Sequence, residues 1–190
     1  MIATGPPPTP KERLTETLVA HLGEHGLGDA SLRGLAAAIG TSHRMLSYHF
    51  GSRAGLLIDV SREVERQQRE AFTAMLDDPG ISPTAVMRSM YERLVDPKLW
   101  GHERLFFELY VRALQGERDS GGFLPGVVED WIEPVSRLFA RLGFDAETAV
   151  SEARLALSVS RGLLLDLLAT EDRSGVDAAM ARFVLRYEGL

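Results

Sequence analysis

The segment Ser31-Leu-Arg-Gly-Leu-Ala-Ala-Ala-Ile-Gly40-Thr-Ser-His-Arg-Met-Leu-Ser-Tyr-His-Phe50-Gly-Ser-Arg-Ala-Gly-Leu-Leu57 decides the fold. Ser31 precedes an apolar-periodic stretch and is of the type that caps a helix, because its hydroxyl can accept a hydrogen bond from a first-turn N–H. A short helix is expected over 31–38, with Leu32, Leu35 and Ala36 on its apolar side. Ile39-Gly40-Thr41 reads as a turn. Ser42 is a second cap, and 42–49 a second short helix with Met45 and Leu46 turned inward. Two short helices meeting across a tight turn are helix-turn-helix geometry. Small Ala36 lets the helices cross closely, Gly40 tolerates left-handed backbone, and Leu35, Ile39 and Leu46 supply the apolar contact. By itself the Ala36-x-x-x-Gly40 spacing also occurs in many helical proteins that bind no DNA.

Working outward, almost everything reads helical. Upstream, Leu14, Leu18 and Leu22 recur at i, i+4, i+8 and mark a helix over 10–25, stopped at Gly26. Residues 1–9 are Pro-rich and aperiodic, and are expected to be a mobile arm. Downstream, Ser52 caps a long helix to about Asp77, apolar at Leu56, Leu57, Val60, Val64, Phe72, Met75 and Leu76 but polar over Glu63–Glu70, as a connector between two bodies would be. Further helices are expected at 82–95, 98–115, 124–142, 146–170 and 175–188, separated by Asp96-Pro97, the glycines around Asp119–Gly122, Gly143 and Ser174-Gly175. Pro134 is expected to kink or divide its helix, unless it is a first-turn proline of a helix that starts later. No run alternates with period 2 and β-branched enrichment. The expectation is an all-α chain: a DNA-binding domain with helix-turn-helix over 10–52, followed by a larger helical regulatory and dimerisation domain over 53–190.

Tyr48-His49-Phe50, followed by Ser52-Arg53 and Leu56-Leu57, is the most specific part of the segment. Over about residues 10–60 the chain closely resembles the N-terminal signature of the TetR family. The resemblance implies an all-α homodimer with the third helix of each subunit in the major groove of an operator duplex. Carried onto matched positions, His43, Arg44 and Ser47 would face base edges or nearby phosphates. Ser31, Thr41 and Ser42 would lie at helix starts beside the backbone, and Tyr48 and His49 would contact phosphates. Arg53 stands where the family usually has lysine, at a helix N-terminus that also attracts phosphate. Thr41, Arg44 and Ser47 depart from the family's usual Val, small residue and Tyr. Arg44 could pair bidentately with guanine or rest on a phosphate, so the operator does not follow from relatives.

The net charge of −6 argues against a strongly basic, nonspecific nucleic-acid binder. Residues 1–62 nevertheless sit near +1 and carry four of the five histidines, while the remainder carries −7. The chain has no cysteine, which excludes disulfides and thiolate zinc sites. His21 and His25, at i, i+4, have no clear acidic partner on their face, so no metal and no cofactor are expected. No apolar run approaches the ~18 residues of a membrane span, and Met1–Pro10 lacks a signal-peptide pattern, so a cytoplasmic protein is expected. No nucleophile elbow, phosphate-binding glycine loop or metal-ligand motif points to an enzyme.

In the body, the large side chains Met75, Met87, Tyr91, Trp100, Phe107, Tyr110 and Trp131 either fill a core or line a pocket for an apolar or aromatic effector, with His102 and Arg112 as candidate polar anchors. The 146–170 helix is apolar on two sides, with Ala153, Leu157, Ser160, Leu164 and Leu167 on one and Leu155, Val159, Gly162 and Leu163 on the other. One face therefore serves the subunit and one a partner. With the last helix it is expected to form a two-fold four-helix interface through Leu157, Leu164, Leu167, Phe183 and Tyr187. Arg161 and Asp166 would pair there or be solvated. The functional expectation is a ligand-responsive regulator, a repressor released from a palindromic operator by a small effector. The competing class is a helical protein-interaction module that does not bind DNA.

Overall fold

The computed structural model describes residues 7–25, 31–117 and 122–189. The expected stop at Gly26, most of the N-terminal arm and the separator at 118–121 lie outside the described residues. Among the described residues every regular element is helical: α1 (Pro10–His25), α2 (Leu32–Ala38), α3 (His43–Phe50), α4 (Arg53–Asp77), α5 (Pro83–Leu94), a short 3-10 turn (Pro97–Leu99), α6 (Trp100–Leu114), α7 (Glu129–Arg141), α8 (Ala146–Thr170) and α9 (Arg173–Leu185).

The helix starts are written in side chains. Ser42 Oγ accepts from the Met45 amide at 3.2 Å, Ser52 Oγ from Gly55 at 3.0 Å, and Ser82 Oγ from Ala85 at 3.2 Å ahead of Pro83. Asp145 accepts from both Glu147 and Thr148 at 3.0 Å. The Thr148 bonds, backbone then hydroxyl, hold its carboxyl below the usual range. Each such bond satisfies an amide that the helix itself leaves unpaired. Between α3 and α4, Gly51 adopts φ 72°, a region costly for residues with a Cβ, and this permits the sharp turn.

The chain forms two compact units: Met1–Glu65 with Gly101–Phe123, and Arg66–Trp100 with Leu124–Leu190. This partition differs from a single cut near residue 52. The first half of α4 and nearly all of α6 belong with the N-terminal helices, and the division within α4 falls inside its polar Glu63–Glu70 stretch. In the first unit Leu18, Leu22, Leu35, Ala36, Leu46, Leu56, Leu57 and Val60 are buried, as are Leu105, Phe106, Leu109 and Phe123 of the second segment. Phe106 meets Phe123 edge to face, with centroids 5.5 Å apart.

In the second unit, Phe72, Leu76, Val86, Met90, Trp131, Leu138, Phe139, Ala153 and Val184 belong to one core. The buried alanines Ala149, Ala153 and Ala156 lie on one face of α8, and α8 makes its most extensive pairing with α7. α7 begins at Glu129 rather than 124, since residues 125–128, starting at Pro125, form turns. Pro134 neither divides this helix nor sits in its first turn: it is buried inside an unbroken α7. A second, smaller core holds Val95, Leu167 and Val176, with Tyr91, Trp100 and Leu163 against it.

Candidate nucleic-acid interface

The reading surface starts from what α3 must bury. Leu46 is fully buried and Phe50, one turn later, nearly so. These two positions, i and i+4, set the inner face. At 100° per residue the opposite side is Arg44, Met45 and Tyr48, and all three are exposed, Tyr48 at 81% and Met45 at 41%. Met45 therefore does not turn inward as read from the sequence. Its partner in that reading, Leu46, is fully buried. The signal was present in the wheel, since Met45 stands 100° from Leu46 and further still from Phe50.

The other expected contacts fall around this face. His43 is exposed at the first turn, while Ser47 and His49 are half-buried at its flanks. The His49 ring meets Tyr48 edge-on at 5.0 Å and Phe50 at 6.5 Å. Thr41 is half-buried in the turn, its amide bonded to the Ala36 carbonyl at 2.8 Å. Ser31 and Ser42 are exposed and spend their oxygen lone pairs on capping α2 and α3. Arg53 is half-buried in the first turn of α4. Lys11, which is not among the expected contacts, pairs with Asp59 at 2.7 Å and lies 5.5 Å from the Phe50 ring centroid, tying α1 to α4 and the end of α3.

The expected effector residues are dispersed. Phe107 and Tyr110 pack on Phe106 in the first unit, with centroids 5.4 and 5.8 Å away. The other five lie in the second. Met75, Met87 and Tyr91 pack partly buried against its core, and Trp131 is buried within it against Phe72. The Trp100 indole donates to the Val95 carbonyl at 3.4 Å. The Tyr91 hydroxyl donates to Asp177 at 2.6 Å, and Arg173 bonds the same oxygen at 2.6 Å. Burial, then Asp177, pushes the Tyr91 hydroxyl above its ordinary value. Tyr91, Trp100 and Trp131 thus hold helices together. Two open grooves of about 350 and 570 Å³ lie along α4 and α7, and none of the seven residues lines either. Their arginines are paired, Arg69 with Asp130 at 3.6 Å and Arg137 with Asp77 at 2.5 Å. Of the two anchors, His102 is buried and Arg112 pairs with Glu108 at 2.9 Å.

The expected interface residues lie mostly inside the subunit. Leu164, Leu167, Phe183 and Tyr187 are buried within the subunit, and Leu157 packs partly buried against the same core as Phe183. Tyr187 sits among Phe139, Phe144 and Phe183, and donates to Glu152 at 2.6 Å. The large exposed apolar side chains of α8 and α9 are Val150, Leu155, Leu165 and Leu185. Arg161 donates to the Val127 carbonyl at 2.6 Å, while Asp166 is exposed and accepts from Thr170. His21 and His25 stack with centroids 4.5 Å apart.

A capped helix-turn-helix whose second helix exposes a mixed basic, polar and aromatic face has the geometry of a DNA-reading motif. Residues 14–60 match the family described as bacterial regulatory proteins, tetR family. The matched stretch takes in most of α1, all of α2 and α3 and the start of α4, so the likeness to these regulators is one of the N-terminal helices. The chain is 27% identical over 88 residues to the HTH-type transcriptional regulator BetI of Stenotrophomonas maltophilia (strain R551-3), a match covering 46% of this chain and 45% of that protein, under half of each. Its fold is similar to that of a TetR transcriptional regulator from Legionella pneumophila, with TM-score 0.69 and 17% identity over 96% of this chain and 98% of the other. The multidrug binding protein EbrR, solved with imidazole, superposes with TM-score 0.63 at 25% identity, covering 96% and 92%. Among the described residues no helix is long and apolar enough to cross a membrane.

Proposed function

We propose that this protein is a ligand-responsive, DNA-binding transcriptional regulator of the cytoplasm, acting as a homodimer that represses from a palindromic operator and releases it on binding a small apolar or aromatic effector. The observation that carries this reading is the outer face of α3, where Arg44 and Tyr48 stand clear of a helix anchored by Leu46 and Phe50. His43, Arg44 and Ser47 are proposed to face base edges. Ser31, Thr41, Ser42, Tyr48, His49 and Arg53 are proposed to hold the phosphates.

Dimerisation is proposed through the exposed stripe Ser151, Leu155, Ser158, Gly162, Leu165 and Ala169 of α8. These residues recur at alternating spacings of four and three and leave open space at Gly162. A two-fold axis there makes the operator palindromic. The effector is proposed to act in the body, where Met75 and Met87 offer adaptable apolar surface. The likeness to EbrR, a multidrug binding protein, favours such a ligand. Because α4 contributes to both units, a ligand that prefers one setting of α4 alters the spacing of the reading helices. It can do so only through differential affinity for the two states.

The test is selection of duplexes from a random pool by the purified protein, with a salt series on the enriched sequences. A palindromic site whose affinity falls steeply with salt supports the proposal. A folded dimer that enriches nothing, with or without candidate effectors, overturns it in favour of a helical interaction module.

A further inference from the structure

Resting on the reading of α3 as the base-reading helix, we infer that Met45 is a specificity residue that reads the 5-methyl group of a thymine in each operator half-site. The inner face of α3 is occupied by Leu46 and Phe50, and the outer face has three members. One is a guanidinium, one a phenol, and the third an unbranched thioether. Met45 projects from the same first helical turn as His43 and Arg44, and the N-terminal residues of a recognition helix are those that reach base edges. It is 41% exposed although an inward alternative is only 100° away around the helix.

Its chemistry limits what it can read. Methionine offers no donor and only a weak acceptor, so it gains nothing beside phosphate or the polar edges of guanine, cytosine and adenine. The one apolar group displayed in the major groove is the thymine methyl. The side chain has three rotatable bonds and a polarizable sulfur, and so can close over a methyl without demanding one backbone position. Arg44, adjacent in sequence and on the same face, remains free to take a guanine or a phosphate. The Met45 amide is already bonded to Ser42 Oγ, so the side chain is what the residue has to offer.

The experiment uses the selected operator with each thymine replaced, one position per symmetric half-site, by deoxyuridine, which lacks only the methyl. Burying one methyl is worth about fourfold in affinity. One thymine per half-site is therefore expected to lose about fourfold on replacement, and about fifteenfold when both half-sites are changed. Met45→Ala is expected to lose a similar factor on the thymine duplex and to become indifferent to the replacement. Its folding is checked by thermal melting. If the protein binds an enriched operator but no deoxyuridine position weakens it, the inference fails and the function stands. If the loss persists undiminished in Met45→Ala, the methyl acts through another residue or through DNA stiffness, and the inference again fails. If no duplex is bound at all, the reading of α3 falls with it.

Discussion

His102 of α6 packs closely against Gly23 of α1: a Cβ at residue 23 would lie 3.1 Å from the imidazole Nε2, so the ring would have to give by a few tenths of an ångström. The ring is 6% exposed and bonded to the backbone at Val19, and its Nδ1 has no partner among the described residues. A mid-helix glycine costs about 1 kcal/mol relative to alanine, and the buried His102 ring is the neighbour that an alanine would press on. Gly23→Ala is expected to lower the melting temperature in the parent protein. In a His102→Ala background it is expected to raise stability by about 1 kcal/mol. Equal effects in both backgrounds, measured in a double-mutant cycle, would show that the ring and the glycine are uncoupled.

The same histidine makes stability depend on pH. Burial, opposed by the Val19 bond, depresses its pKa below the ordinary 6.5. The unfolded chain therefore takes up a proton at a pH where the folded one does not, and stability falls as pH drops below about 6.5. Above that value the group is neutral in both states and contributes no slope. In melting curves from pH 5 to 8, His102→Phe is expected to flatten the acid limb. An unchanged limb would assign it to other groups.

Helix α8 ends on Glu171, the only residue other than glycine with positive φ (59°) among the described residues. Its amide bonds the Leu167 carbonyl at 2.9 Å, so the geometry is a left-handed cap occupied by a residue with a Cβ. Glu171→Gly is expected to stabilise by about 1 kcal/mol, read from the urea midpoint at unchanged m-value. A loss of stability would mean that the Glu171 side chain contributes more than the backbone strain costs.

The two faces of α8 should respond in opposite ways. Leu167 is fully buried in the subunit, and Leu167→Ala is expected to cost about 2–5 kcal/mol of stability. Leu165, two residues away and 51% exposed, is proposed to meet the partner. Leu165→Arg is expected to yield folded monomers in sedimentation and to abolish operator binding. A Leu165→Arg variant that remains a dimer would place the interface elsewhere.

Arg44→Ala and Tyr48→Phe separate the two kinds of DNA contact. If Arg44 takes a guanine, Arg44→Ala relaxes preference at one position per half-site, at about 1–3 kcal/mol each. If it rests on phosphate, the loss is uniform across sequences and the salt slope falls by about one per half-site. Tyr48→Phe, which removes only a hydroxyl, is expected to weaken all duplexes alike. Binding by the double variant equal to the parent's would remove both residues from the interface.

The sequence by itself determined the all-helical class and most helix starts, though not that of α7. Ser42, Ser52, Ser82 and Asp145 announce starts because capping is a bond between a side chain and an amide two or three residues on, wholly local information. The helix-turn-helix and most of its outward residues follow from the same short-range pattern. What the tertiary structure decided is which apolar face looks where. Periodicity marked α8 as apolar on two sides, but only the tertiary packing put Leu164 and Leu167 inside, Leu167 against Val95 and Val176, and left Leu155 and Leu165 outside. Likewise, large side chains in the body are equally suited to a pocket or a core until their neighbours are known. Tyr91 and Trp131 proved to be bonded and packed within the fold because Asp177 and Phe72, remote in sequence, come to meet them. Met45 is the exception, since its outward position follows from the helical spacing of Leu46 and Phe50 alone.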